Sequence, residues 1–342
     1  MSTLPSDAPL PTPQRVLSGM RPTGALHLGH YHGALKNWVH LQNEHDCFFF
    51  VADWHALTTQ TQRPEPGVLE QRVYDMVVDW LAAGIDPERT TLFIQSRIAE
   101  HAELFTLLAM STPSSWLERM PSYKEAVADN RELATYGFLG YPLLQAADIL
   151  LYKASGVPVG EDQAPHVEVT REVARRFNHL HSPAAPILAE PVAMLTDTSR
   201  VAGLDGRKMS KSYGNTIAMR DRPEVVDEKI RTMPTDAQRV RRGDPGEPSR
   251  CPVWAFHELY SDNETRDWAA AGCRSAAIGC LDCKQPLIKA IQAQQQPWRE
   301  RAEELLADPK RVHWIVEVGT ERARAVARKT LREVRHALGL SY

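Results

Sequence analysis

Two short segments carry side chains whose types and spacing could do phosphate chemistry. The first is His27-Leu28-Gly29-His30; the second, about 180 residues later, is Lys208-Met209-Ser210-Lys211-Ser212, in a loop bounded by glycines. Two imidazoles flanking a glycine at a helix N-terminus offer N–H donors to phosphate oxygens beside the positive end of the helix dipole, and Gly29 lets the backbone come close. The two lysines are mobile point charges suited to a pyrophosphate leaving group. Taken singly, the first segment is equally a turn with surface histidines and the second a solvated loop. Together, in this order, they fit a nucleoside triphosphate held between them and a reaction driven by alignment rather than by a covalent nucleophile.

Two other patterns carry chemistry. Asp148 sits inside the apolar run LLQAADILLY, where a carboxylate is rarely buried without a partner. Read alone, Tyr141 is a core aromatic and Gln145 a solvated helix position, but with Asp148 they spell Y-x-x-x-Q-x-x-D. Four of the five cysteines, Cys251, Cys273, Cys280 and Cys283, are spaced C-x21-C-x6-C-x2-C. Four thiolates complete a tetrahedral zinc site or hold one iron–sulfur cubane, and four reduced buried thiols are the remaining alternative. Cys47, in an apolar run, reads as a small buried hydrophobe.

The elements that must position these groups follow from the apolar pattern of the 342 residues. Residues 1–14, with four prolines and no apolar run, read as a disordered lead-in. From Arg15 the chain alternates strand (Val16, Leu17), turn (SGMRPTGALHLGH), helix (YHGALKNWVHLQNEH) and strand (CFFFVAD). A helix over Gly67 to Ala83 then leads into the buried strand TLFIQS. This predicts an α/β fold with a parallel sheet and crossover helices. Beyond Ser96 the pattern turns mainly helical, interrupted by SGVPVGEDQ and LDGRKMSKSYGN, both read as loops, and by a surface loop over Arg239 to Arg250. Asp53 reads as a helix cap. The longest apolar run, Cys47 to Ala52, is far short of a membrane span, and the expected location is the cytoplasm.

The two phosphate segments, written PTGALHLGH (Pro22 to His30) and KMSKS (Lys208 to Ser212), resemble the signatures of the class I aminoacyl-tRNA synthetases. The resemblance implies a Rossmann-type parallel-sheet catalytic domain over 15–220 and a mainly helical tRNA-binding region over 221–342. It also implies ATP-dependent activation of an amino acid, with Mg²⁺, and transfer to the terminal ribose of tRNA. By the same resemblance, Arg21, Pro22, Thr23, Gly29, His30, Gly160, Glu161, Asp162, Val201, Lys208, Met209, Ser210, Lys211 and Ser212 meet ATP. His27, His30, Lys124, Lys208 and Lys211 are then the catalytic set.

The stretch from Tyr136 to Asn178 is similar to the tryptophanyl branch of that family nearly throughout. This implies L-tryptophan and tRNA(Trp) as substrates, a homodimer, and no DNA or membrane partner. Asp148 would accept the indole N–H, with Leu17, Gly19, His55, Tyr141, Gln145 and Gln163 around the amino acid. Indole offers one donor and no acceptor, so its pocket needs one buried acceptor and otherwise apolar walls. Gln145 departs from many bacterial tryptophanyl enzymes, which carry methionine there, and Y-x-x-x-Q-x-x-D also occurs in tyrosyl enzymes. Tyrosyl-tRNA synthetase is the alternative. Against it, Leu17 stands where tyrosyl enzymes place a tyrosine, and a phenol left one partner short loses about 1–3 kcal/mol. A subset of the tryptophanyl family carries a [4Fe-4S] cluster on a cysteine motif close to this one, which implies a cluster here, with Zn²⁺ as the alternative. Whole-chain charge is −3, yet residues 284–342 hold 12 Lys and Arg against 7 Asp and Glu. Arg324, Arg328, Arg332 and Arg335 fall on one helical stripe that could meet RNA phosphates, while Trp298 and Trp314 are expected in the core.

Overall fold

The computed structural model describes residues 14–60, 65–195 and 201–342, so the expected lead-in lies, apart from Gln14, outside the described residues. Five parallel strands form one sheet in the order β3-β2-β1-β4-β5: β1 Arg15–Met20, β2 Asp46–Val51, β3 Thr90–Ile94, β4 Gly156–Val159 and β5 Val192–Leu195. Strands β2 and β3 are buried almost end to end, which is why their sequences are continuous apolar runs rather than alternating ones. The segment GVPV, read from sequence as loop, is instead β4, hydrogen-bonded between β1 and β5. A four-residue strand that contains Pro158 and opens on a glycine gives almost no sequence signal. Gly156 is needed there, since a Cβ would stand 2.6 Å from the Met194 sulfur.

The helices divide between the two faces. The first is α1 (Leu28–His30), continued through a π-helical turn, Tyr31–Leu35, into α2 (Lys36–Leu41). Then come α3 (Asp53–Leu57), α4 (Val68–Ala83), α5 (Glu100–Ala109), α6 (Ser114–Glu118), α7 (Pro121–Asp129), α8 (Tyr136–Leu151) and α9 (Ala164–His181). The C-terminal part is helical, as expected: α10 (Pro223–Thr232), α11 (Pro252–Tyr260), α12 (Asn263–Arg274), α13 (Cys280–Ala307) and α14 (Pro309–Ala337). One core cluster, with Trp38 stacked on Phe49 at 4.5 Å, covers the face toward α2, α4 and α13; the other gathers Phe93, Leu104, Leu143, Leu150 and Val334 on the opposite face.

The C-terminal helices are packed into this core. Helix α13 lies against α4, and α14 returns to the sheet so closely that a Cβ on Gly319 would stand 1.8 Å from the Leu92 carbonyl oxygen. Three members of the arginine stripe of α14 bond residues at the start of α5 and the turn before it, although Arg328 and Arg332 remain exposed. Arg328 Nε bonds Glu100 Oε1 at 2.9 Å, Arg335 pairs with Glu103 at 3.6 Å, and Arg324 Nη2 donates to the Arg97 carbonyl at 2.7 Å. Only Arg332 of the four keeps an exposed position with no ion pair recorded. Helical spacing placed the arginines on one face correctly but could not say what covers it. Trp298 is buried as expected, whereas Trp314 is 65% exposed and does not belong to the core.

Candidate active site

The sheet order reverses direction between β1 and β4, and at such a switch point the loops leaving the two strands part and leave a crevice. Here the crevice is a cavity of about 580 Å³, lined by residues 17–21 at the end of β1 and 157–160 at the end of β4, with walls from the π-helical turn and α2, from α3 and α8, and from Ser122 of α7. Of the expected amino-acid residues, Leu17, Gly19, His55, Tyr141, Gln145, Asp148 and Gln163 all line it, as do Arg21 and Gly160. Gly19 is required: a Cβ would stand 2.5 Å from the Phe50 ring.

At the floor Asp148 is completely buried and held by three donors. His55 Nε2 meets Oδ2 at 2.7 Å, His101 Nδ1 meets Oδ1 at 2.6 Å, and Gln95 Nε2 reaches both oxygens at 2.8 and 3.0 Å. Burial pushes this carboxyl up, but the bonds from His101 and His55 outweigh it and hold the group below the usual carboxylate range. The three donors make four contacts, two on each oxygen, so a ligand N–H is accepted where the shared Gln95 contact gives up one of the two oxygens. His101 is itself fixed by Tyr152, whose hydroxyl lies 2.7 Å from Nε2. Gln95 and His101 were not legible as site residues: they lie 53 and 47 positions from Asp148, in unremarkable helical and turn sequence.

On one wall a second polar group is assembled. Tyr141 donates to Ser122 Oγ at 2.7 Å, Ser122 lies 3.2 Å from His166 Nε2, and His166 Nδ1 lies 3.0 Å from Gln145 Oε1. Burial lowers the His166 pKa to about 4, so the ring is neutral near pH 7. Gln145 is therefore no solvated helix position and Tyr141 no simple core aromatic. Ser122 and His166 escaped sequence reading, although His166 follows Gln163 by three residues at the start of α9.

The phosphate end is organised differently. The His27 and His30 rings pack against each other at a tilt of 39°, with centroids 3.8 Å apart, and the His27 amide donates to His30 Nδ1 at 3.2 Å. Burial, with Lys211 nearby, lowers His27 to about 4; burial, with His27 and Lys211, lowers His30 to about 3. Both are thus neutral N–H donors near pH 7. Gly29 makes this packing possible, since a Cβ would lie 2.9 Å from the His27 ring and 3.5 Å from Met209 Cβ. Residues of the two expected segments therefore meet. Lys211 Nζ approaches Thr23 Oγ1 at 3.4 Å, and burial, with Arg72 nearby, lowers its pKa to about 8.

The lysine loop is pinned by a residue that sequence reading passed over. Asn215 is 3% exposed; its Oδ1 accepts from the Ser210 amide at 2.8 Å and its Nδ2 donates to Asp205 at 2.6 Å and to the Lys208 carbonyl at 3.1 Å. Val201 and Met209 are buried and joined by a 2.9 Å backbone bond, so they support the loop from below. Lys208 and Ser212 are exposed, and Ser210 and Ser212 share a 2.8 Å bond. Pro22 and Thr23 line a neighbouring cavity of about 470 Å³ with Arg72. Glu161, Asp162 and Lys124 are exposed and outside the residues lining either cavity. Asp53 accepts from the Trp54 and Ser96 amides at 3.1 and 3.0 Å, tying the ends of β2 and β3 together in addition to starting α3.

The four cysteines lie at helix ends: Cys251 caps α11, Cys273 is in the last turn of α12, and Cys280 and Cys283 are in the first turn of α13. All are free and half-buried, and the other three thiols lie close enough to Cys283 to help burial push its pKa up to about 12. Among the described residues, no group of three or more His, Cys, Asp or Glu stands in a metal-ligating arrangement. The surroundings nonetheless suit a thiolate-bound centre. Arg239 Nη1 points at Cys273 Sγ at 3.9 Å, Arg239 Nε is buried without a partner, and the buried Lys284 ammonium, which donates to the Arg231 and Met233 carbonyls, lies near enough to Cys251, Cys280 and Cys283 for them to favour its charge. A Cβ on Gly246 would close to 2.7 Å from Cys273 Sγ. Cys47 is fully buried, with its thiol pushed up to about 12 by burial.

A switch-point cleft bearing HLGH beneath a KMSKS loop defines a class of enzyme, and the chain belongs to the class I tRNA synthetases for W and Y, whose family model matches residues 11–295. Within that class its relatives are tryptophan–tRNA ligases. The one from Ralstonia nicotianae is 53% identical, with 96% of this chain and 99% of the relative covered. That from Thermotoga maritima is 49% identical over 96% of this chain and all of the relative. The crystal structure of the Campylobacter jejuni tryptophanyl-tRNA synthetase complexed with ADP and tryptophan superimposes with a TM-score of 0.86, at 33% identity over 95% of this chain and all of that one.

Proposed function

We infer that the chain is a tryptophan–tRNA ligase: it activates L-tryptophan with ATP to tryptophanyl-adenylate and transfers the acyl group to tRNA(Trp). The observation that carries the ring specificity is Asp148, a buried anion held by three donors at the floor of a cavity whose β1 wall includes Leu17. An indole N–H satisfies that acceptor and asks for nothing more, whereas a phenol would leave its own acceptor unmet, at a cost of about 1–3 kcal/mol.

In this reading Gly19, His55, Tyr141, Gln145 and Gln163 surround the amino acid, and Arg21, Pro22, Thr23, Gly29, His30, Gly160, Glu161 and Asp162 meet ATP. The tryptophan carboxylate attacks the α-phosphorus in line and pyrophosphate leaves. Neutral His27 and His30 donate to phosphate oxygens, while Lys208 and Lys211 stabilise the charge that develops on the leaving group. Lys124 would have to be carried to the same group by α7. Mg²⁺ enters with ATP and neutralises phosphate charge. Residues 221–342 would supply the tRNA-facing part, with Arg324, Arg328 and Arg335 of α14 already engaged by Arg97, Glu100 and Glu103.

Cys251, Cys273, Cys280 and Cys283 would hold a [4Fe-4S] cluster, or Zn²⁺, with Arg239 and Lys284 offsetting the thiolate charge; such a centre is structural, since the thiols lie in α11 to α13, outside the residues lining the cleft. The enzyme would act as a homodimer in the cytoplasm; among the described residues no helix is long and apolar enough to cross a membrane. The test is charging of tRNA(Trp) with labelled tryptophan by anaerobically purified protein, with iron, sulfide and zinc assayed per chain. Charging with tryptophan and one cluster or one zinc per chain is expected; failure to charge overturns the ligase reading, and metal-free active protein overturns the metal reading.

A further inference from the structure

Helix α4 carries a buried charge that takes no part in the steps described so far. Asp79 is 2% exposed; its Oδ1 pairs with Arg220 Nε at 2.6 Å, and its Oδ2 accepts from the Leu26 amide at 3.4 Å. Those two partners belong to the two phosphate segments. Leu26 immediately precedes HLGH, and Arg220 closes the segment that follows the KMSKS loop. The two stretches are also joined backbone to backbone, the Leu28 amide to the Ile217 carbonyl at 3.0 Å and the Met219 amide to the Leu26 carbonyl at 2.9 Å. Ile217 and Met219 are buried, so apolar packing already holds the segment down, and a desolvated ion pair adds little stability beyond that. What such a pair can add is register.

We propose that Asp79 is a positioning residue for the leaving-group end of the cleft: by holding Arg220 and the Leu26 amide together on α4 it sets the register between the HLGH turn and the KMSKS loop, and so the place of Lys211. The inference rests on the ligase reading above and deepens it. Arg72, Asp75 and Asp79 share one face of α4, at i, i+3 and i+7, and that face is turned to the two segments. Arg72 lines the cavity beside Pro22 and Thr23, and Asp75 meets Arg220 Nη2 at 3.4 Å. The Asp79 carboxylate also acts on Lys211 through space. Burial pushes its carboxyl up to about 6, with Arg220 and the Leu26 amide pulling it back, so the group is ionised near pH 7. Its charge supports the Lys211 ammonium against burial and Arg72, while His27 and His30, on the HLGH side, are neutral.

The experiment measures tryptophan-dependent ATP–pyrophosphate exchange across pH for Asp79→Asn, which keeps the size of the side chain and an acceptor for the Leu26 amide but removes the charge. kcat is expected to fall about tenfold while KM for tryptophan changes less than about twofold. The alkaline limb of kcat/KM for ATP should move below about pH 8, because Lys211 loses the anion that favours its proton. In a Lys211→Arg background residue 79 should make no difference to the pH profile. Arg220→Met removes the other half of the pair and should lower kcat by a similar factor, and the double variant should be no worse than the poorer single one. Should Asp79→Asn not fold, Arg220→Met carries the test, with Arg220→Lys expected to recover most of the lost kcat. An unchanged kcat, an equal rise in KM for tryptophan, additive losses in the double variant or an unmoved alkaline limb overturns the proposal. Absence of tryptophan-driven exchange in the native enzyme would instead overturn the functional reading itself.

Discussion

The two ends of the cleft are built on opposite plans. At the amino-acid end the key polar groups are already bonded to protein, Gln95 Oε1 excepted: Asp148 holds three donors, and His166 has partners on both nitrogens. At the phosphate end the polar atoms wait. His27 Nδ1 is buried without a partner, Lys208 is exposed, and Lys211 has only a long bond to Thr23. The difference follows from what each end must do. Discriminating one ring from another needs donors and acceptors fixed in advance, because an unmet polar group is what excludes the wrong ligand. Stabilising a leaving group needs charge whose best partner appears only as the reaction proceeds, so groups satisfied beforehand would be wasted.

The contrast can be broken at either end. The largest effect is expected for Asp148→Asn, which replaces the anion with a group that must itself donate and leaves His55, His101 and Gln95 competing for one carbonyl oxygen. kcat/KM for tryptophan should fall at least a hundredfold, with the fold destabilised by about 2–4 kcal/mol, checked by exchange kinetics and urea unfolding. Next is Lys211→Ala. Because the ammonium acts on developing charge, kcat for activation should fall on the order of a hundredfold while KM for tryptophan changes less than about threefold; a rise in that KM alone would erase the distinction between the ends.

The same lysine gives a pH test. Its folded pKa is lowered to about 8 by burial and the nearby Arg72, so the free enzyme loses the charge as pH rises through that value. kcat/KM for ATP should therefore decline above about pH 8, and Lys211→Arg, which stays charged, should flatten that limb. The smallest effect is predicted for Arg328→Ala on α14: its exposed pairing with Glu100 should contribute at most about 1 kcal/mol to stability. Because the guanidinium is already paired with Glu100, the salt dependence of tRNA charging should change little.

How much of this was legible in the sequence divides along similar lines. The phosphate end is local, with HLGH and KMSKS each contiguous, so both could be read, as could β1, β2 and β3 from their apolar runs. Asp148 was legible because a carboxylate in an apolar run demands an explanation. Its partners were not, since Gln95 and His101 reach it through tertiary packing that no spacing reveals. Strand β4, a wall of the cleft, was hidden by Gly156 and Pro158, whose meaning depends on Met194 and the sheet around them. The α14 arginines were read on the right face, but their bonds to Arg97, Glu100 and Glu103 were not, because helical period specifies which residues share a side and not what packs beside it.

The most direct test of the account is amino-acid-dependent ATP–pyrophosphate exchange by the native chain, measured with tryptophan and with tyrosine under identical conditions. A pocket with a fixed acceptor for an indole N–H and leucine on the β1 wall predicts exchange with tryptophan and a preference over tyrosine on the order of ten- to a hundredfold. Comparable exchange with tyrosine, or exchange with neither, would contradict it.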